Sequence, residues 1–145
     1  MASVDWLSGI MAGIATSLKT VPALGNHVFA YTPDSLPSPP YAIVGFPELI
    51  EFDFTMGGGN ADMQIPVRIY VAKVDERGGQ LKLHAMMDPR GAGSINDAIE
   101  SDPTLGGVCD TLHCEKAWRF GVYQVGQAQL LGVEFLVRVI SQSQN

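Results

Sequence analysis

Gly93 to Gly107 reads GSINDAIESDPTLGG, and the way this stretch starts and stops decides the fold class. Ser94 followed by Asp97 places an N-cap before an acidic residue at the third helical position, where a carboxylate meets the positive end of the helix dipole. Ile95, Ala98 and Ile99 give the short helix one apolar face. The Asp102-Pro103 step ends it, because the proline ring disfavours the α conformation in the residue before it. Gly106 and Gly107 then supply the positive φ values of a tight turn. A short helix thus meets a sharp corner and the chain becomes extended. The stretch carries no nucleophile, metal cluster or phosphate loop, so it reads as scaffold.

Downstream of the corner, Val108 to Lys116, Trp118 to Val125 and Gln129 to Ile140 read as three strands. The last has apolar residues at every odd position: Leu131, Val133, Phe135, Val137 and Val139. Its other positions mix Leu130, Glu134, Leu136, Arg138 and Ile140. A strand with one fully apolar and one partly apolar face is covered by its own helices on one side and partly by something else on the other. The polar tail from Ser141 to Asn145 reads as flexible.

Upstream, Val4, Leu7, Met11, Ile14, Leu18 and Val21 recur every three or four residues and predict an N-terminal helix, widened by Trp6 and Ile10, capped by Ser3 and closed by Pro22. His27 to Thr32 predicts a short strand. Pro33 to Pro40 forms a proline-rich segment that cannot sit in a central strand. It is either a rigid connector or an arm reaching a neighbouring subunit, since preordered segments lose little entropy on docking. Tyr41 to Phe46 and Leu49 to Thr55 predict strands broken at Pro47. A loop, MGGGNAD from Met56 to Asp62, joins the second of these to Met63 to Ala72, whose Met63, Ile65, Val67, Ile69 and Val71 fill one face of a long hairpin. Asp75 to Asp88 predicts a helix, reliable from Gln80 because Gly78 and Gly79 each cost about 1 kcal/mol relative to Ala, with Leu81, His84, Ala85 and Asp88 on one face and Leu83, Met86 and Met87 beside it.

The order of short helix, Asp102, Pro103, Thr104, Leu105, Gly106, Gly107, Val108 and then paired strands resembles the tail terminator (tail completion) proteins of long-tailed bacteriophages, the minor-tail-protein-U-like group. Those proteins often carry a similar D-x-T-L-G-G segment after a helix. The amphipathic N-terminal helix, the middle strands and the length fit as well. The resemblance implies a virion structural protein of the tail and neck, assembled in the host cytoplasm. It would form a ring, usually a hexamer, on the last ring of the tail tube, stop tube growth and offer a joining surface to the head connector. Neighbouring roles are a head-closure protein or a tube subunit. From another class comes a cytoplasmic small-ligand-binding domain.

Composition sets the bounds. The 145 residues suit one domain, 1–145, able to bury roughly 68–70% of its unfolded surface. With 46% hydrophobic and 17% charged residues, the chain is too apolar for disorder. A formal charge of −6 argues against nucleic-acid binding, which draws on Lys and Arg neutralising phosphates. It remains compatible with DNA sliding through a ring lumen without specific binding. The apolar N-terminus lacks the basic residues that precede a secretory h-region, with Asp5 in their place. Nothing approaches the ~20 apolar residues of a membrane span. A soluble chain in a reducing compartment is expected, since two cysteines make no disulfide framework.

Candidate chemistry is sparse. Cys109, His113 and Cys114, with His84 or Asp110, invite a metal reading. On one strand, however, Cys109 and Cys114 would face opposite ways and stand roughly 16 Å apart, too far for a shared zinc or a disulfide. A catalytic Cys114 with His84 or His27 lacks the local signatures of such nucleophiles. Gly57 to Gly59 and Gly91 to Gly93 lack the spacing of phosphate cradles. No enzyme, cofactor or metal is expected. Two candidate contact regions remain. The loop of Met56, Gly57, Gly58, Gly59, Asn60 and Asp62 would meet the tube or another ring. Leu130, Glu134, Leu136, Arg138 and Ile140 would form a subunit interface, because Glu134 and Arg138, ~13 Å apart along the strand, cannot pair with each other and must each face either solvent or a partner outside the strand. The expected fold is α+β: a mostly antiparallel sheet of six or seven strands with the N-terminal and two middle helices on one face.

Overall fold

The computed structural model describes residues 6–22, 24–25, 27–30, 40–52, 60–73, 78–88, 90–91, 93–102, 104–105, 109, 111–125 and 127–142. Their elements are α1 (Trp6–Leu18), β1 (Val28–Phe29), β2 (Tyr41–Val44), β3 (Leu49–Phe52), β4 (Asn60–Lys73), α2 (Gly79–Met86), α3 (Ile95–Glu100), β5 (Thr111–Val125) and β6 (Ala128–Gln142). The strands form one sheet in the order β1-β2-β4-β6-β5, with β3 also paired to β4. Only β1 with β2 is parallel. This is the α+β architecture the sequence predicts, with six strands.

Alternation builds the core. Met63, Ile65, Val67, Ile69 and Val71 of β4 are fully buried, and the first four stand opposite Val139, Val137, Phe135 and Val133 of β6. Ile10, Met11, Ile14, Ala15 and Leu18 of α1, Ile95, Ala98 and Ile99 of α3, and Met86 of α2 join the same cluster. Each full burial of a large aliphatic side chain stabilises by about 1.5–3 kcal/mol, so this face holds the molecule together. Leu7, Met11, Ile14, Leu18 and Val21 of the predicted stripe face the core, Val4 and the expected cap Ser3 lie outside the described residues, and the helix stops at Leu18. From there Thr20 N–H bonds to Ser17 and Val21 N–H to Leu18 in i→i−3 fashion, tightening the exit before Pro22.

The deciding stretch folds as its residues dictate. Ser94 Oγ accepts from Asp97 N–H at 3.1 Å, and α3 runs to Glu100, where Ser101 Oγ donates to the Ala98 carbonyl at 2.7 Å. Leu105 then adopts a left-handed φ of 51° and is buried against Gly13 of α1, where an added Cβ would lie 3.0 Å from Leu105 Cβ. A glycine in mid-helix is unfavourable by about 1 kcal/mol; here it makes room for the corner. The Gly106-Gly107 turn itself lies outside the described residues.

Four expectations are corrected. The predicted break between Lys116 and Trp118 is absent: β5 continues through Ala117 and pairs with β6 along its length, so the C-terminal region holds two strands, not three. Irregularities between Cys114 and Lys116 and between Trp118 and Gly121 take up the residues that disturbed the alternation. In α2 the facing is inverted. Leu81 is 73% exposed and His84 and Ala85 are exposed, while Met86 is buried and Leu83 and Met87 pack on the core. Gly79 is the reason, because its missing side chain lets the first turn sit on Ala72 and Leu131, each 3.1 Å from where a Cβ would be. The strand predicted over His27 to Thr32 is only Val28–Phe29 within the described residues. Finally, β6 extends through Ser141 and Gln142, two residues into the supposed flexible tail, and 143–145 lie outside the described residues.

Candidate functional site

The second face of the sheet, turned away from the α1 and α3 core, is where charge and aromatic side chains gather. Register places Arg68 of β4 and Trp118 of β5 on either side of Glu134 of β6. Glu134 is 1% exposed. Its Oε1 accepts from Arg68 Nε at 3.1 Å and its Oε2 from Arg119 Nη1 at 3.3 Å. The same Arg119 nitrogen lies 3.6 Å from Glu48 Oε2, between β2 and β3. A buried carboxylate needs such pairing to remain charged.

The bulge makes this reach feasible. Arg119 has φ 57° and Gly121 φ 154°, and the extra residue keeps the Arg119 head on the face that Trp118 occupies. Its Cζ lies 4.0 Å from the Trp118 ring centroid, and Lys116 Nζ lies 3.8 Å from the same centroid. Both are cation–π contacts. Beside them, Tyr41, Tyr70 and Tyr123 form a row, with centroids 5.1 Å and 5.6 Å apart. Tyr123 folds over Gly132 of β6, where an added Cβ would lie 2.9 Å from its ring and 2.9 Å from the Ile69 carbonyl. Its hydroxyl donates to the Arg119 carbonyl and so ties the bulge. Further along, Arg138 Nε donates to Asp62 Oδ1 at 3.0 Å.

This geometry revises the proposed interface residues. Glu134 and Arg138 do find partners outside their own strand, but those partners are Arg68, Arg119 and Asp62 of the same chain. Leu130 and Leu136 are each 3% exposed, so neither is an open apolar contact. Arg138 and Ile140 are half-buried. The exposed parts of this face include instead the heads of Arg68, Arg119 and Arg138 and Lys116. Of the candidate loop, Met56 to Gly59 lie outside the described residues, whereas Asn60 opens β4 and Asp62 is held by Arg138 within it. The proline-rich segment is described only at Pro40, whose carbonyl stands 3.4 Å from His27 Nδ1.

The cysteines are placed differently from expectation. Cys109 precedes β5 rather than lying on it, and both thiols border the main core instead of pointing to opposite faces. Both are free. Burial pushes the Cys114 thiol up to about 12, and the nearby Glu100 carboxylate adds to the shift. Glu100 also accepts the Cys114 backbone N–H at 3.1 Å. A thiol so held stays protonated at neutral pH and is a poor nucleophile. His84 and His113 are exposed. Among the described residues no three His, Cys, Asp or Glu side chains cluster as metal ligands, and no helix is long and apolar enough to cross a membrane. A pocket of about 140 Å³ beside α3, lined by Thr20, Gly91, Ser94, Asp97, Ala98 and Ser101, is smaller than the ~300 Å³ at which ligand sites begin.

Sequence reasoning missed Arg68, Arg119, Glu48, Trp118 and Tyr123. One signal was present: a lone carboxylate within a largely apolar strand requires cationic partners. No family model matches the chain, and no curated protein matches it in sequence.

Proposed function

We propose that this chain is a ring-forming structural protein that caps a bacteriophage tail tube, ends its polymerisation and joins it to the head connector. The observation that carries the reading is the Asp102 to Gly107 segment, which resembles that of tail terminators. In this fold its Leu105 wedges into Gly13 of α1 between α3 and β5, a structural use consistent with the scaffold role. The raised Cys114 thiol makes that side chain in particular a poor nucleophile, which removes support from the one cysteine-based catalytic reading.

In this reading the chain acts by complementarity: one ring face matches the tube, the other the connector, and DNA passes through the lumen without specific contact. The candidate tube contact is the segment from Met56 to Asp62, whose last residues, Asn60 to Asp62, form the start of β4. If subunits meet on the second sheet face, the contact uses the half-exposed Arg68, Arg119 and Arg138 heads with Ile140, because Leu130, Glu134 and Leu136 are already covered. Native mass measurement of the purified protein, alone and with tail-tube subunits, tests the proposal. A closed ring of a few copies, six by resemblance, that binds tube ends supports it. Open-ended polymers of the chain itself would identify a tube subunit instead, and a monomer indifferent to tube subunits would overturn it.

A further inference from the structure

β5 is an edge strand of 15 residues, far longer than the mean of about 5–6. Proteins blunt such edges with charges, proline, bulges or a covering element. The first half of β5 is treated this way. Glu100 of α3 caps the outward N–H of Cys114, Glu115, Lys116 and Arg119 add charge, and both irregularities fall between Cys114 and Gly121. Among the described residues the second half carries no charge, proline or bulge. From Gly121 to Val125 the pairing with β6 is regular, Gly121 opposite Gly132 through Val125 opposite Ala128, and Phe120 to Val125 reads FGVYQV without a charge or a proline. Phe120 and Val122 are 54% and 56% exposed.

We propose that this open edge pairs antiparallel with the same edge of a second copy about a two-fold axis through Val122. That register sets Val122 against Val122, Gly121 against the second copy's Tyr123 and Phe120 against its Gln124. Residues directly opposite share a sheet face. By alternation Phe120 and Val122 leave the Tyr123 face, so the two exposed pairs would cover one another. The segment's neutrality selects this occupant. Each chain carries −6, and two copies meeting here bring no charge into opposition, whereas β3 would offer the exposed Glu51. The contact goes beyond the capping role and is independent of it, since a two-fold seam joins copies whether or not head-to-tail contacts also close a ring.

The test uses symmetry, because only at the axis does a residue meet itself. Under mild oxidation, Val122→Cys in the full chain should form a disulfide-linked dimer well above the wild-type background set by Cys109 and Cys114. Gln124→Cys alone should not, while a mixture of the Phe120→Cys and Gln124→Cys proteins should link to one another. Val122→Lys, at an exposed position that leaves folding intact by circular dichroism, should weaken self-association in sedimentation equilibrium at least tenfold. The proposal is overturned if Val122→Cys links no more than wild type up to about 1 mM protein, if Gln124→Cys links to itself equally well, or if Val122→Lys associates as wild type does.

Discussion

Glu134 shows how one side chain organises the sheet's second face. Its carboxylate is nearly inaccessible, yet Arg68 and Arg119 remain about half exposed. Removing the carboxylate therefore returns both guanidinium groups to water rather than stranding them, which lowers the cost below the 3–5 kcal/mol of a fully buried broken pair. Glu134→Ala should destabilise the fold by about 1–3 kcal/mol in urea denaturation; no change would mean that the pairs contribute nothing. Cys114 supplies a second residue-scale prediction. Its thiol ionises near 9.0 when unfolded and at about 12 when folded, so the unfolded chain releases that proton first as pH rises. The contribution is fully present below pH ~9 and is lost progressively up to pH ~12. Tyr41, Tyr70 and Tyr123, each raised above 10.0 mainly by burial, act in the same direction at higher pH. Stability should thus fall between pH ~9 and ~10 in wild type, and Cys114→Ala should flatten that fall. An equal slope in both proteins would show that the thiol is not held as described.

At the scale of elements, the two long central strands were readable because period-2 alternation needs no knowledge of partners. The apolar odd positions of β4 and β6 lie where that period puts them. The α3 cap was readable for a similar reason, since Ser94 and Asp97 interact within one turn. What escaped depends on contacts distant in sequence. The continuity of β5 through Ala117 is imposed by pairing with β6, which absorbs two irregularities that look locally like strand ends, although Gly121 inside a strand pattern hints at one. The facing of α2 is set by Gly79 lying on Ala72 and Leu131, a contact that helical periodicity cannot reveal. The ion pairs were hidden likewise, because Arg68 stands 66 residues from Glu134. The corrected α2 facing makes its own prediction. Leu81→Ser should change stability by less than about 0.5 kcal/mol, and Met86→Ala should lower it by about 2–4 kcal/mol. The reverse order in thermal denaturation would restore the original facing.

For the whole molecule, the described residues form a helical layer over one sheet face and an ion-paired, aromatic second face. Among the described residues the large exposed apolar side chains are Phe120 and Val122 on β5, Phe46 and Leu49 at β3 and its approach, and Leu81 on α2. Tyr, Trp and Arg, all present on the second face, are the residue types that dominate binding hot spots. A face of this composition fits the contacts that the capping proposal requires. The most direct measurement is the length of tail tubes grown from purified tube subunits with and without this protein, read by electron microscopy. The account predicts that elongation stops on addition and that each halted tube carries one extra ring at its end. Tubes that grow unchecked, or that carry this chain along their whole length, would contradict it.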